Sequence, residues 1–414
     1  MIAVLFFLAL VTVAYLLTHF VVEKLQHRFF FSSGGEYVVL GVLVGPFTPW
    51  LEVVNQDILR QLAPLMSLAI GWLGLLYGMQ LNLRKLLLTN DSAIRLSTVA
   101  SAATLALVGV LSWVFIQYLD LDLATGEALM VSALLGTAAG VTSPTALALV
   151  RSRFEAQGAL TELFERASRL DELSSILLFG VIFCVFNFID VDLPRDLTSA
   201  EWLLISIALG GGLGLLFRLF IGEERDPDKQ FLALVGIIVF ASGAAHYLDL
   251  SPLLVNLVLG IVLVNVAEDS EAILAVLERT AQPMYIVLLL FAGAMWTPIE
   301  AWGWALAVAF VAMRTLGKFL GGFAAAVTVG SNVRRDIGRG LLAQGEVAVA
   351  MAVNFKLVYE GPLVDAAFTA VLFSVVVNEL WSARLLRGLL IDAGDIHYGA
   401  SRDASKDAPK AEEG

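Results

Sequence analysis

Apolar runs of about 20 residues recur from one end of this chain to the other, the length that carries an α-helix across a bilayer. In hydrocarbon every backbone polar group must be satisfied within the protein, which leaves helices and closed barrels. Runs this long and continuous select helices. Of 414 residues, 58% are hydrophobic and 15% are charged, where a soluble domain carries nearer ~25% charge. A large soluble helical protein would lack the polar surface to cover itself. The chain reads as an all-α polytopic membrane protein with thirteen spans: 2–22, 35–50, 61–81, 94–118, 127–150, 160–189, 201–221, 231–248, 251–267, 282–297, 300–329, 337–359 and 363–390. The split between the eighth and ninth rests on Asp249, Ser251 and Pro252, which favour a turn. Residues 1–22 lack a positive start and run into Glu23 and Lys24 instead of a small-residue cleavage site, so they read as a retained first span.

Thirteen spans put the two ends on opposite sides, and the Lys/Arg bias of the loops assigns the sides. Alternate loops collect Lys24 and Arg28, then Arg84, Lys85 and Arg95, then Arg151, Arg153, Arg166 and Arg169, and so on to the C-terminal tail. Of the 26 basic residues, only Arg60, Arg195 and Lys356 fall in the opposite set, and only Arg314 and Lys318 inside a span. This predicts an outside N-terminus and a cytoplasmic C-terminus. The loop 151–169 reads as an amphipathic cytoplasmic approach to the sixth span, and residues 268–279 as a short surface helix. Residues 392–414 are too poor in apolar side chains to pack, so they read as a disordered cytoplasmic tail behind a membrane domain of residues 1–391. The net charge of -12 is spread over short loops and the tail and implies no nucleic-acid partner. The single cysteine, Cys184, excludes an intrachain disulfide and a multi-cysteine metal site. No phosphate-binding loop or catalytic constellation is present, so neither a cofactor nor an enzyme is expected; Gly210 to Gly214 lie inside a span and suit helix packing.

Charge inside the spans is where function is expected, because a carboxylate in a bilayer helix is costly without a partner, a proton or a bound cation. Asp171 and Glu172 open the apolar stretch of the sixth span. Adjacent residues on a helix point about 100° apart, so one binds an ion while the other pairs or faces the cytoplasmic funnel. Their bland alternative is a pair of interface charges beside Arg169. In the preceding span Thr142, Ser143 and Pro144 follow Gly136 and Gly140. The proline breaks the helical bonding, and the freed carbonyls and two hydroxyls are hard oxygen ligands suited to a small alkali cation. Arg314 and Lys318, four apart, stack on one helix face; burial there calls for a carboxylate, and Asp171, Glu172 and Glu346 are the available partners. Gln344, Gly345 and Glu346 mark a second break, with Glu346 best read as an anchor. Glu36, Asn256, Asn354, Asn378 and Glu379 are further polar residues in or near spans, unranked as ligands. His246 reads as a packing or interface residue, and the tryptophans, Trp72 among them, mostly as an aromatic belt at span ends. The second break lies seven spans after the first, so spans one to six and eight to thirteen would be inverted repeats, a recurrent transporter design.

At these residues the chain resembles the monovalent cation:proton antiporter superfamily, in the branch of bacterial sodium/proton and potassium-efflux antiporters. The resemblance spans roughly residues 1–390. It is carried by Gly41, Gly45 and Pro46, by Gly78 and Arg84, by Thr142, Ser143 and Pro144, by Asp171 and Glu172, by Arg314 and Lys318, and by Gln344, Gly345 and Glu346. It implies two inverted six-helix repeats with crossed discontinuous helices, a core domain moving against a dimerisation domain, and a homodimer in the bacterial inner membrane. It also implies exchange of sodium, or potassium or lithium, against protons at the acidic residues, with Thr142 and Ser143 lining the cation site. Two departures stand out. Ser143 occupies a place where many members carry an acid, and the acidic pair is Asp171 with Glu172, or Leu170 with Asp171 if the alignment slips by one.

Overall fold

The computed structural model describes Thr12 and residues 34–47, 56–86, 91–119, 125–186, 197–221, 227–266, 270–330 and 333–396. The expected first span and nearly all of the expected tail lie outside these residues. Among the described residues every regular element is helical. In chain order they are α1 (Gly35–Val44), α2 (Gln56–Gln80), α3 (Leu83–Leu86), α4 (Asp91–Tyr118), α5 (Thr125–Gly140), α6 (Thr145–Phe154), α7 (Ala159–Val185), α8 (Ser199–Ile221), α9 (Pro227–Tyr247), α10 (Pro252–Val266), α11 (Ser270–Ala294) and α12 (Ala301–Val329). A 3₁₀ turn (Ile337–Gly340), α13 (Gly345–Lys356) and α14 (Pro362–Ala393) follow. Among the described residues eight helical segments are long and apolar enough to cross a membrane, the longest of them α14 and the α5–α6 segment Thr125–Phe154. α1 and α10 are apolar but shorter.

The helices pack as two groups. α2 lies along α10, with α9 and α11 beside it; α1 rests on α11 and α8 on α10. The second group holds α4 against α5 and α12, and α12 against α14, with α7 and α13 at its centre. Without a hydrophobic drive between helices in lipid, close approach of small residues carries much of the packing. Gly78 and Gly260 show this: a side chain on Gly78 would run into the Leu257 carbonyl and Gly260, and one on Gly260 into the Leu75 carbonyl. Gly210 and Gly214 likewise face α10, as expected of that glycine run.

The expected turn between the eighth and ninth spans is present, with Asp249 in the left-handed region (φ 51) and Pro252 opening α10. The expected surface helix at 268–279 is not a separate element. α11 runs unbroken from Ser270 to Ala294 through Pro283. Ile273 and Leu277 are buried in the core, so packing holds the segment in line and the single lost proline hydrogen bond does not end it. Trp72 also departs from expectation: it sits in the middle of α2, 4% exposed and packed in the core instead of at an interface.

Candidate functional site

The site forms where the chain stops being helical inside the second group. Pro144 lacks a backbone donor and disfavours helix in the residue before it; α5 ends at Gly140 and α6 starts at Thr145. The second interruption runs from the 3₁₀ turn through residues 341–344 to α13, which starts at Gly345 with φ 69, a conformation that glycine adopts at little cost. The two interruptions touch. The Ser143 amide donates to the Ala343 carbonyl at 3.0 Å, and the Gln344 side-chain amide donates to the Ala138 carbonyl at 3.1 Å. The Gln344 carbonyl accepts from Ser374 at 2.7 Å, which ties the second break to α14.

α12 staples both breaks with its two basic residues, each 0% exposed. Arg314 donates to the Leu342 carbonyl at 2.8 Å, to the Val141 carbonyl at 2.9 Å and to the Ala343 carbonyl at 3.3 Å. Lys318 donates to the Gly140 carbonyl at 2.6 Å and to the Thr142 hydroxyl at 2.7 Å. The last carbonyls of a helix carry the negative end of its dipole and lack intrahelical donors. The ammonium at Gly140 meets both needs. Arg314 therefore needs no carboxylate, contrary to the expectation from sequence, because the broken backbone supplies three oxygens in one fork.

Asp171 and Glu172 are buried, at 0% and 1% exposure, so they are not interface charges. Arg169 is exposed and pairs with Glu165 at 3.0 Å. The two acids diverge as adjacent helical residues must. Asp171 points at Lys318, its ion-pair partner at 4.0 Å. The hydroxyls of Ser97, Ser101 and Thr142 stand around its carboxylate. Glu172 points to α2, where the Tyr77 hydroxyl lies 3.3 Å from its carboxylate. The same hydroxyl lies 3.1 Å from the carboxylate of Glu346, in the first turn of α13. Glu172 and Glu346 are thus neighbours of each other and of Tyr77, and the basic pair is left to Asp171, the Thr142 hydroxyl and backbone oxygens.

Every expected site residue, Asp171, Glu172, Thr142, Ser143, Arg314, Lys318 and Glu346, lies at or beside the two breaks. Tyr77, Ser97, Ser101 and Gln344 join them without having been singled out as ligands. Ser97 and Ser101 carried a usable signal, being four apart on one face of an apolar helix. Tyr77 carried only its place next to Gly78.

The transmembrane sodium/hydrogen exchanger family model matches residues 8–388. The structure of the sodium proton antiporter MjNhaP1 from Methanocaldococcus jannaschii at pH 8 is similar, with 17% identity and a TM-score of 0.64 over 94% of this chain and 98% of that one. A 3D EM map of the same antiporter gives 18% identity and a TM-score of 0.58 over 93% and 98%. No curated protein matches this chain. At these identities the solved structures speak to the fold, and the family match speaks to nearly the whole length. With apolar helices long enough to span and a charged centre between two broken ones, the chain is a multi-pass membrane protein that belongs to the sodium/hydrogen exchanger family, whose members carry out cation:proton antiport.

Proposed function

We propose that this chain exchanges a monovalent cation, sodium first and potassium or lithium next, for protons by alternating access at Asp171. The observation that supports it is the Asp171 carboxylate: fully buried, surrounded by the hydroxyls of Ser97, Ser101 and Thr142, and 4.0 Å from a lysine held by the first break. A carboxylate left this way in hydrocarbon must be neutralised by whatever occupies its surroundings. Without cargo, Lys318 does so. An arriving cation takes the carboxylate, the Thr142 hydroxyl, the Ser143 hydroxyl and freed carbonyls as hard oxygen ligands, and Lys318 withdraws. An arriving proton neutralises Asp171 instead, so the two compete. Glu172 is the second acid of the site, Glu346 its anchor on α13, and Arg314 holds the breaks together as the site changes sides.

The finer architecture belongs to the same proposal. Thirteen spans as two inverted six-helix repeats with crossed broken helices would make residues 1–391 one transport unit, followed by a tail at 392–414. The two helix groups then serve as a mobile core and a dimerisation scaffold. Leu204, Leu219, Phe220, Leu232 and Phe240 expose apolar surface on the scaffold group to lipid or to a second copy. The charge bias of the loops supports an inner-membrane protein with its N-terminus outside.

The test is purified protein in sealed liposomes under an imposed pH gradient, with sodium, potassium and lithium added separately and luminal pH followed. Wild type should give saturable, cation-dependent proton movement that names the ion. Asp171→Asn should lose it. A folded Asp171→Asn protein that still exchanges would falsify the assignment, and a non-saturable conductance would point to a channel.

A further inference from the structure

At the site the scaffold group reaches the acids of the other group with Tyr77, and Tyr285 of α11 stands beside it. Tyr77 belongs to α2, which packs with α9, α10 and α11, whereas Glu172 and Glu346 belong to α7 and α13 of the other group. Its mounting is rigid. Gly74 and Gly78, on either side of it, approach α10 so closely that a side chain on either would strike the Leu253 or Leu257 carbonyl. Its hydroxyl, 4% exposed with the rest of the residue, is 3.1 Å from Glu346 and 3.3 Å from Glu172. A hydroxyl has one proton to donate, so it serves one carboxylate at a time while standing within reach of both.

We infer that Tyr77 is a latch: its hydroxyl holds the acids of the moving group to the scaffold, and a cation binding at the Glu172 side of the site must displace it. This rests on the alternating-access reading above and adds a residue that couples site occupancy to movement. A hydrogen bond to a charged group is among the stronger ones in a protein, and sliding one group past the other draws the Tyr77 hydroxyl away from the acid it holds. Cation binding and latch opening are then two ends of one equilibrium, since a ligand shifts a conformational balance only through its differential affinity for the two states.

The full chain is tested in detergent and in liposomes. Tyr77→Phe keeps the ring and removes the hydroxyl. It should bind the transported cation about tenfold more tightly in calorimetry, because the competing donor is gone. Spin labels placed at Ser152 and at Leu232, one on each group, should give one distance in cation-free wild type and a second on cation addition; Tyr77→Phe should show both without cation. Glu346→Gln, which leaves a neutral acceptor for Tyr77, should move the distances the same way by less, and covers the case in which Tyr77→Phe misfolds. A merely structural role for Tyr77 would weaken binding instead of tightening it. Folded Tyr77→Phe with wild-type affinity and wild-type distances overturns the latch alone. Wild-type distances that respond to no cation overturn both the latch and the movement it serves.

Discussion

Lys318 answers three oxygens at once: the Gly140 carbonyl, the Thr142 hydroxyl and, at 4.0 Å, the Asp171 carboxylate. Its contribution is asymmetric. A buried ion pair adds little against an apolar replacement, but removing one partner strands the other and costs about 3–5 kcal/mol. Lys318→Ala should therefore lower the thermal midpoint of the purified protein sharply. Adding Asp171→Asn should restore the part due to the stranded charge and leave the part due to the two lost hydrogen bonds. Equal midpoints for the single and double variants would show that charge is not what Lys318 stabilises. The sequence made the depth and facing of Arg314 and Lys318 legible. It could not assign their partners, because three carboxylates and a set of backbone carbonyls were all available within a helix turn or two of the same depth.

At the scale of the element, the two breaks hold each other. The first depends on Pro144 and was legible from it; the second depends on Gly345, whose φ of 69 puts a non-glycine residue in the left-handed region. A side chain at Gly345 would also meet Ser143 of the first break. Gly345→Ala should then cost about 1–2 kcal/mol from the backbone alone, plus the collision, with both read from thermal melts. Adding Ser143→Gly should recover the collision and not the backbone cost. Full recovery would mean that crowding, and not conformation, selects glycine there. α11 shows the limit of local signals. Pro283 and the charged residues before it argue for an end, yet burial of Ile273 and Leu277 keeps the helix going.

Across the whole molecule, the alternation of basic loops makes orientation testable. Cys184 is 3% exposed, so the chain offers a nearly silent background for added cysteines. Ser152→Cys should react with a membrane-impermeant maleimide only where the cytoplasmic face is presented, and Glu360→Cys only at the opposite face. Labelling of both from one side would break the span count that the orientation rests on. Membrane class, helical content, the first break and the set of charged residues worth following were determined by the sequence alone. Long apolar runs must be helices in lipid, proline interrupts them, and a charge there demands compensation. The tertiary structure decided what compensates each charge: Lys318 for Asp171, bare carbonyls for Arg314, and Tyr77 between Glu172 and Glu346. Pairing at one depth between distant segments depends on how helices cross, and the crossing is set by glycine contacts and packed side chains spread over the whole fold.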